Sequence, residues 1–143
     1  MINLDRIGKA KADLLSAERQ IRALLAAGEE AYRVDPKGPP ALKYLLVVAV
    51  EAITDVCQHV LAKVKQVPCD GYVDCIMKAG AEGIIEGRLA NRLRRLADLR
   101  NSLVHRYWII ADDRLFDETR ENLGDLSEFR SQVDAFIGAL PKR

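Results

Sequence analysis

The sequence is poor in residues that break helices or cross-link a chain. Only nine glycines, five prolines and three cysteines occur among its 143 residues. Because the apolar residues are mostly Ala, Leu, Ile and Val, this composition favours helices over strands. Cys57, Cys69 and Cys75 are too few and too widely spaced for a disulfide framework, and they lack the CxxC pairs of a zinc site. We expect Cys57, which lies in an apolar helical run, to be a small core residue.

Metal-binding and membrane-spanning patterns are also missing. The chain has two histidines, His59 and His105, and they stand far apart, so we expect no metal site and no cofactor. No segment approaches the roughly 18 uninterrupted apolar residues that span a bilayer. Residues 1–6 move straight into a charged amphipathic pattern without the apolar core of a signal peptide. We therefore predict a cytoplasmic protein with no membrane association.

Charge is distributed unevenly along the chain, although the net charge is only +1. Residues 88–106 contain six arginines and one acid, whereas residues 112–128 contain seven acids and two arginines. These segments could be solvated helix faces joined by salt bridges. Alternatively, the first could form a basic surface for phosphates, which the acidic segment masks in the total.

Apolar residues recur at helical spacing through most of the chain. The length suits a single domain over residues 1–143, large enough to enclose one hydrophobic core. The second long segment is the most hydrophobic and should be central. We predict an all-α, up-and-down bundle of four long helices plus a short one, without a β-sheet. The long helices are predicted at about residues 3–33, 41–66, 88–108 and 115–140, and the short one at about 72–79.

A polar stripe interrupts the hydrophobic second helix. Glu51, Asp55 and His59 repeat every four residues and so lie on one face of it. They could form a second shell around a functional cleft or the seam of a dimer. A buried polar stripe that fixes the register of the helices is an equal alternative.

Residues 100–108 read RNSLVHRYW and combine side chains suited to RNA cleavage. Arginine can clamp a phosphate through two parallel hydrogen bonds. Histidine can accept and return a proton near neutral pH. Removal of the ribose 2′-hydroxyl proton, attack on the adjacent phosphorus and stabilisation of the phosphate charge need only these groups, without a metal.

Helical spacing separates the two central residues of this segment. Positions five apart differ by about 140° on an ideal helix, so Arg100 and His105 do not share a face. Their meeting would need the long arm of Arg100, a distorted helix or a second subunit. We therefore predict that the helix bends or ends near His105. The competing interpretation is a histidine that serves a buried partner at a helix C-terminus.

The segment resembles the R-x4-H-x-Y form of the HEPN ribonuclease signature that is typical of HepT-like toxins. The similarity extends to residues 51–59, which contain the Glu-Ala-Ile-x-Asp stretch, and to the Gly-Ile-Ile segment 83–85. The resemblance implies that Arg100 and His105 are the catalytic pair and that Asn101 supports them. It also implies a homodimer in which two subunits build a shared RNA cleft.

The resemblance further implies control by a partner. Tyr107 matches the tyrosine that a minimal nucleotidyltransferase antitoxin modifies with AMP in some family members. The substrate would be RNA, with tRNA as one candidate. We assign Arg92, Arg94, Arg95 and Arg106 to contacts with the RNA backbone. Stacking of Tyr107 and Trp108 on a base and packing at the helix end are both open.

An alternative function and an acidic residue near the signature also bear on this interpretation. A non-catalytic helical subunit that binds a nucleotidyltransferase is the alternative function, but such a scaffold would not need both Arg100 and His105. Asp98 stands where relatives often carry an uncharged residue. An acid at this position could pair with a neighbouring arginine and weaken phosphate binding.

Overall fold

A computed structural model describes residues 2–106 and 110–141, which form a helical bundle. Within these ranges there is no β-strand, and the all-α prediction is confirmed. The helices are α1 (Leu4–Ala26), α2 (Glu29–Val34), α3 (Gly38–Val60, continued by a π-helical turn over Leu61–Lys65), α4 (Tyr72–Ala81), α5 (Gly87–His105), α6 (Asp112–Asn122) and α7 (Gly124–Gly138).

The first and last predicted helices are each divided in two. Gly28, with φ of 96°, separates α1 from α2, and this left-handed conformation is one that glycine adopts without strain. The turn buries Tyr32, whose hydroxyl donates a hydrogen bond to the Asp112 carbonyl at 3.1 Å. The second division falls at Leu123, between α6 and α7. Apolar spacing missed both breaks because the inner face stays apolar across them.

The proline-rich segment at residues 35–40 follows the end of α2 and supplies the first turn of α3. Pro39 and Pro40 occupy the first turn of α3, where a helix leaves its backbone N–H groups unpaired. The helix therefore begins earlier than the apolar pattern alone suggests. Gly38 is required for the close approach to α2, because a Cβ atom there would lie 2.5 Å from the Tyr32 carbonyl oxygen.

Helix α3 is the centre of the bundle and packs against α1, α4 and α5. Leu42, Val50 and Ile53 on this helix are completely buried. Residues Gly38–Lys65 are long and apolar enough to cross a membrane by length and composition alone. However, 61% of their most apolar stretch is buried against the other helices, as in the core helix of a soluble protein.

The structure corrects one expectation about the cysteines. They build no framework, but Cys69 and Cys75 form a disulfide with their Cα atoms 5.0 Å apart. The bond closes a loop at the start of α4, and sequence spacing missed it because a turn brings the two ends together. Cys57 is a free, buried thiol, and burial raises its pKa to about 12. The prediction of a small core residue at this position is confirmed.

Candidate active site at the C-terminal end of α5

Arg100 occupies a position that the helix otherwise gives to core residues. Leu89, Leu93 and Leu96 form the buried or half-buried stripe of α5, and Arg100 follows at the next helical spacing. Its side chain is therefore directed towards α3 and α4, and only 14% of it is exposed. A guanidinium this deep in the bundle needs partners there.

Three neighbours hold the Arg100 guanidinium. Its Nη2 atom donates to Glu51 Oε1 at 3.0 Å, forming an ion pair between α5 and α3. Its Nη1 atom donates to Asn101 Oδ1 at 3.2 Å. The ring of Tyr72 lies 4.0 Å from the guanidinium carbon, in cation–π geometry. The Nε atom is buried without a hydrogen-bond partner, so the group retains an unused donor.

Tyr72 was absent from the predicted site. Its hydroxyl donates a 2.5 Å hydrogen bond to Glu51 Oε1, the same oxygen that accepts from Arg100. This bond to Glu51 is the main reason that the pKa of Tyr72 is raised; desolvation and the negative charge of Glu51 add to the shift. The phenol therefore stays protonated and remains a donor. No sequence pattern links Tyr72 to Arg100, since only tertiary packing brings α4 against the end of α5.

His105 lies at the end of α5. The helix ends at this residue, as predicted, because Arg106 leaves helical geometry with φ of −137° and ψ of 44°. The last turn is closed by a 2.7 Å hydrogen bond from the Arg106 N–H to the Ser102 carbonyl. Within residues 2–106 and 110–141, the His105 side chain makes no hydrogen bond or ion pair. It is exposed and does not contact Arg100 through a hydrogen bond, as the spacing of the two residues predicts.

Tyr107 and Trp108 lie outside the described residues. Their assigned roles, in AMP modification and in base stacking, therefore stay predictions.

The polar stripe of α3 divides among three separate environments. Glu51 belongs to the site through Arg100. Asp55 is exposed and lies 4.0 Å from Arg6 of α1. His59 is buried, and its Nε2 atom accepts a 2.8 Å hydrogen bond from the Asn3 backbone N–H at the start of α1. The common helical face therefore does not bring Asp55 and His59 to the Arg100 site.

Desolvation is the main cause that lowers the pKa of His59, and the positive charges of Arg6 and Lys63 lower it further. The imidazole thus favours the neutral form, which is the form that accepts the hydrogen bond from Asn3.

The arginines of α5 fall into two groups. Arg92 forms ion pairs with Asp125 at 2.9 Å and Glu128 at 2.6 Å on α7, and these carboxylates raise its pKa. Its charge is already compensated. The others on α5 outside the Arg100 site are exposed and have no ion pair among the described residues; they are Arg88, Arg94 and Arg95. Arg106, which follows the helix, is also exposed and has no ion pair in the same ranges.

Two residues of the acidic segment thus neutralise Arg92, and Glu51 pairs with Arg100, whereas the other arginines of the basic segment have no ion pair among the described residues. Asp98 is exposed and pairs with no arginine in the described part of the chain.

The structure also bears on two other kinds of site, an open cleft and a metal centre. A cleft of about 380 Å³ opens between α5 and the α6–α7 pair, and neither Arg100 nor His105 borders it. Its lining combines leucines with two arginines and three acids, namely Arg92, Arg95, Glu118, Glu121 and Asp125. Across the described ranges, no group of three or more His, Cys, Asp or Glu side chains is arranged to hold a metal ion.

The described residues thus form a helical bundle that holds Arg100 inside it and places His105 at the end of the same helix, which is compatible with the HEPN signature that the sequence resembles. Residues 14–133 match the family described as Ribonuclease HepT-like. This match covers most of the chain, so the protein belongs to the HepT-like ribonuclease family, as its motif predicts.

Solved structures share the fold over nearly its full length. A tri-AMPylated Shewanella oneidensis HEPN toxin in complex with MNT antitoxin superposes with a TM-score of 0.83 at 20% identity, covering 92% of this chain and 98% of that one. A toxin–antitoxin crystallised with AMP-PNP has a TM-score of 0.82 at 19% identity, covering 90% and 98% of the respective chains. No curated protein sequence matches this chain.

Proposed function

We propose that this protein is the endoribonuclease toxin of a toxin–antitoxin pair, acting in the cytoplasm on RNA, with tRNA as one candidate substrate. The observation that carries the proposal is the placement of both signature residues at one helix end. Arg100 is held by Glu51 and Tyr72, while His105 is exposed and free to meet a substrate. Membership of the HepT-like ribonuclease family supports the same activity.

In the proposed reaction, His105 acts as the general base. The neutral imidazole removes the proton of a ribose 2′-hydroxyl, and the 2′-oxygen attacks the adjacent phosphorus. The bond from phosphorus to the 5′-oxygen of the next nucleotide then breaks, leaving a 2′,3′-cyclic phosphate. The departing 5′-oxygen takes a proton from water and leaves as a hydroxyl, and the protonated His105 returns its proton to the solvent. Arg100 stabilises the negative charge on the phosphate oxygens through its guanidinium, and Asn101 supports Arg100.

A homodimer would complete this site. Because Arg100 is directed towards α3 and α4 while His105 is exposed at the helix end, one copy offers little continuous surface to an RNA strand. Two copies facing each other would combine both pairs with the exposed Arg95 and Arg106 in one basic groove. Light scattering should report twice the monomer mass of 16.0 kDa. A monomer at micromolar concentration would count against the shared groove.

The proposed regulator is a minimal nucleotidyltransferase antitoxin. In the modification step, the Tyr107 phenol oxygen attacks the α-phosphorus of ATP, and pyrophosphate leaves as Tyr107 gains AMP. Because Tyr107 follows His105 by two residues in the sequence, the adduct would add negative charge close to the proposed catalytic residues, repel RNA and pair with arginine. The tri-AMPylated state of the Shewanella oneidensis toxin supports this form of control. If co-expression leaves Tyr107 unmodified by mass spectrometry, inhibition must occur by binding alone.

The decisive experiment compares the wild type with His105→Ala and Arg100→Ala, expressed without a partner. We expect the wild type to slow growth and degrade RNA, and each variant to lose at least about 100-fold in cleavage rate. Circular dichroism should show all three folded. We expect the wild type to retain its activity in EDTA. Activity that requires a divalent ion would overturn the mechanism, and a folded wild type without any cleavage would favour the non-catalytic subunit.

A further inference from the structure

Tyr72 is a tyrosine outside the signature that contacts both charged groups of the site. The centre of its ring lies 4.0 Å from the Arg100 guanidinium carbon. Its hydroxyl donates a hydrogen bond to Glu51, the carboxylate that pairs with Arg100. We propose that Tyr72 is a positioning residue, which holds Arg100 in the orientation needed to receive the scissile phosphate. This inference rests on the proposed ribonuclease function and adds a residue to it.

The contacts form a closed arrangement of three side chains from three helices. Glu51 of α3, Tyr72 of α4 and Arg100 of α5 meet at one carboxylate oxygen, Glu51 Oε1. Two donors on one oxygen fix the carboxylate, and the carboxylate in turn fixes one edge of the guanidinium. The aromatic ring restricts the guanidinium plane from the side. Without Tyr72, the guanidinium would be held by Asn101 and by Glu51, whose side chain is 50% exposed, and it would keep more of its rotational freedom.

The start of α4 is itself fixed in place, which allows Tyr72 to serve as a support. Gly71, immediately before it, has φ of 87° and gives the chain the turn that aims Tyr72 at α5. The disulfide from Cys69 to the buried Cys75 closes the loop that contains it. The Lys78 ammonium donates to the Pro68 carbonyl at 2.9 Å and ties the same loop to the helix.

Tyr72 leaves part of the guanidinium available. Its ring lies on one face, Glu51 takes Nη2, and the buried Nε atom has no acceptor. An unpartnered buried donor is unfavourable, and an incoming phosphate oxygen could satisfy it after a small movement. The arrangement therefore orients Arg100 without exhausting its hydrogen-bonding capacity.

The first test measures kcat and KM for RNA cleavage by Tyr72→Phe and Tyr72→Leu. Phenylalanine keeps the ring and removes the hydroxyl, whereas leucine removes both supports. We expect kcat to fall about 2- to 30-fold in Tyr72→Leu, the range that a cation–π contact supplies, and less in Tyr72→Phe, with a smaller change in KM. Tyr44→Leu is the matched control, since the Tyr44 side chain is 68% exposed and is not among the hydrogen-bond or ring partners of Glu51, Tyr72 or Arg100. Unchanged kcat in Tyr72→Leu would overturn the proposal.

The second test does not depend on catalysis. An arginine-specific dicarbonyl reagent, phenylglyoxal, is followed by peptide mass spectrometry in the folded protein. In the wild type, Arg100 should react more slowly than the exposed Arg94. Tyr72→Leu should speed labelling of Arg100 several-fold and leave Arg94 unchanged, and Tyr72→Phe should lie between.

These outcomes separate the two proposals. A wild type that lacks ribonuclease activity but shows faster Arg100 labelling in Tyr72→Leu would refute the function and keep the positioning role. Equal labelling of Arg100 in the wild type and in Tyr72→Leu would refute the positioning role whatever the activity. Faster labelling of Arg94 as well would indicate general loosening of the fold and would also count against it.

Discussion

Arg100 and Glu51 lie 49 residues apart in the chain and are joined by a 3.0 Å ion pair. The pair crosses from the signature helix to the central helix of the bundle, and it sets which edge of the guanidinium is available to a substrate. Because Glu51 is also the acceptor for Tyr72, its carboxylate is the meeting point of the site.

The acceptor role of Glu51 is testable separately from its charge. Glu51→Gln keeps an oxygen in place for both donors, whereas Glu51→Ala removes it. We expect Glu51→Ala to lower kcat about 3- to 10-fold, since hydrogen bonds to charged groups are strong but this one is half exposed. Glu51→Gln should stay within about 2-fold, because the geometry survives. Cleavage rates at saturating RNA give kcat for both Glu51 variants.

Asp55→Asn is the matched control for these two variants. It lies one turn further along the same face of α3, but its neighbour is Arg6 instead of Arg100. We expect its kcat to equal that of the wild type. A loss as large as that of Glu51→Ala would mean that the whole stripe acts on the site.

The position of Arg100 could be predicted from the sequence only in part. Helical spacing separates it from His105 and places the end of the helix correctly, since both follow from local geometry. The same spacing puts Arg100 in line with Leu96, but it cannot show what lies opposite. The contacts with Glu51 and Tyr72 depend on how three helices pack, and residues 51, 72 and 100 share no local pattern.

Helix breaks that depend on a single residue could not be predicted from the apolar pattern either. The break at Gly28 needs one residue with positive φ, and the apolar pattern on either side of it is uninterrupted. Glu51, Asp55 and His59 share a helical face, as their spacing predicts, but within one chain they have different partners. Their partners come from three different places in the chain, namely α5, α1 and the residue that precedes α1.

Substitution of Arg92 should affect the stability of the fold, whereas substitution of Arg95 should affect RNA binding. Arg92 is compensated by Asp125 and Glu128, whereas Arg95, nearly one turn later, is exposed without an ion pair among the described residues. We expect Arg92→Gln to lower the free energy of unfolding by about 1 kcal/mol with little change in RNA affinity. Arg95→Gln should leave stability unchanged and reduce the salt dependence of RNA binding by about one phosphate contact.

Urea unfolding and binding titrations at several salt concentrations provide the two measurements. For the binding titrations, Arg92→Gln and Arg95→Gln are each made in the His105→Ala background. This background is expected to be inactive, so the RNA stays intact. The assignment of Arg95 to the RNA surface fails if both variants weaken RNA binding equally.

The lowered pKa of His59 predicts that the folded protein loses stability in mild acid. Its pKa is lowered in the folded protein from the ordinary value of 6.5, chiefly by desolvation. The unfolded chain therefore binds the proton more readily, and protonation favours unfolding. This contribution to stability is complete above pH 6.5 and decreases as the pH falls towards the lowered pKa. The charged imidazole would also lose its hydrogen bond from the Asn3 N–H.

Thermal unfolding between pH 7.5 and pH 5 measures this effect. His59→Gln is the informative variant, because its side-chain oxygen can accept the same hydrogen bond without titrating. We expect the melting temperature of the wild type to fall more steeply with acid than that of His59→Gln. Parallel curves for the two proteins would show that other groups govern the acid response.

The disulfide between Cys69 and Cys75 supplies the last prediction. It closes the loop that ends at the start of α4, and a cross-link of this kind stabilises mainly by restricting the unfolded chain. For a loop this short we expect about 2 kcal/mol, equivalent to a fall of roughly 5–10 °C in the melting temperature on reduction with a dithiol. The Cys69→Ser/Cys75→Ser variant should melt at the lower temperature and ignore the reductant.

Reduction should also reach the site, because the loop carries Tyr72. With the cross-link open, Tyr72 keeps its hydrogen bond to Glu51 but loses one restraint on the loop that carries it. Arg100 should therefore become more reactive towards phenylglyoxal in reduced wild type and in the double variant alike. Non-reducing peptide mapping checks the bond directly. Rapid alkylation of Cys69 and Cys75 in the native, untreated protein would show that the two thiols are free. Stability would then have to be independent of the reductant, and Tyr72 would owe its position to Gly71, to its hydrogen bond with Glu51 and to packing on Arg100.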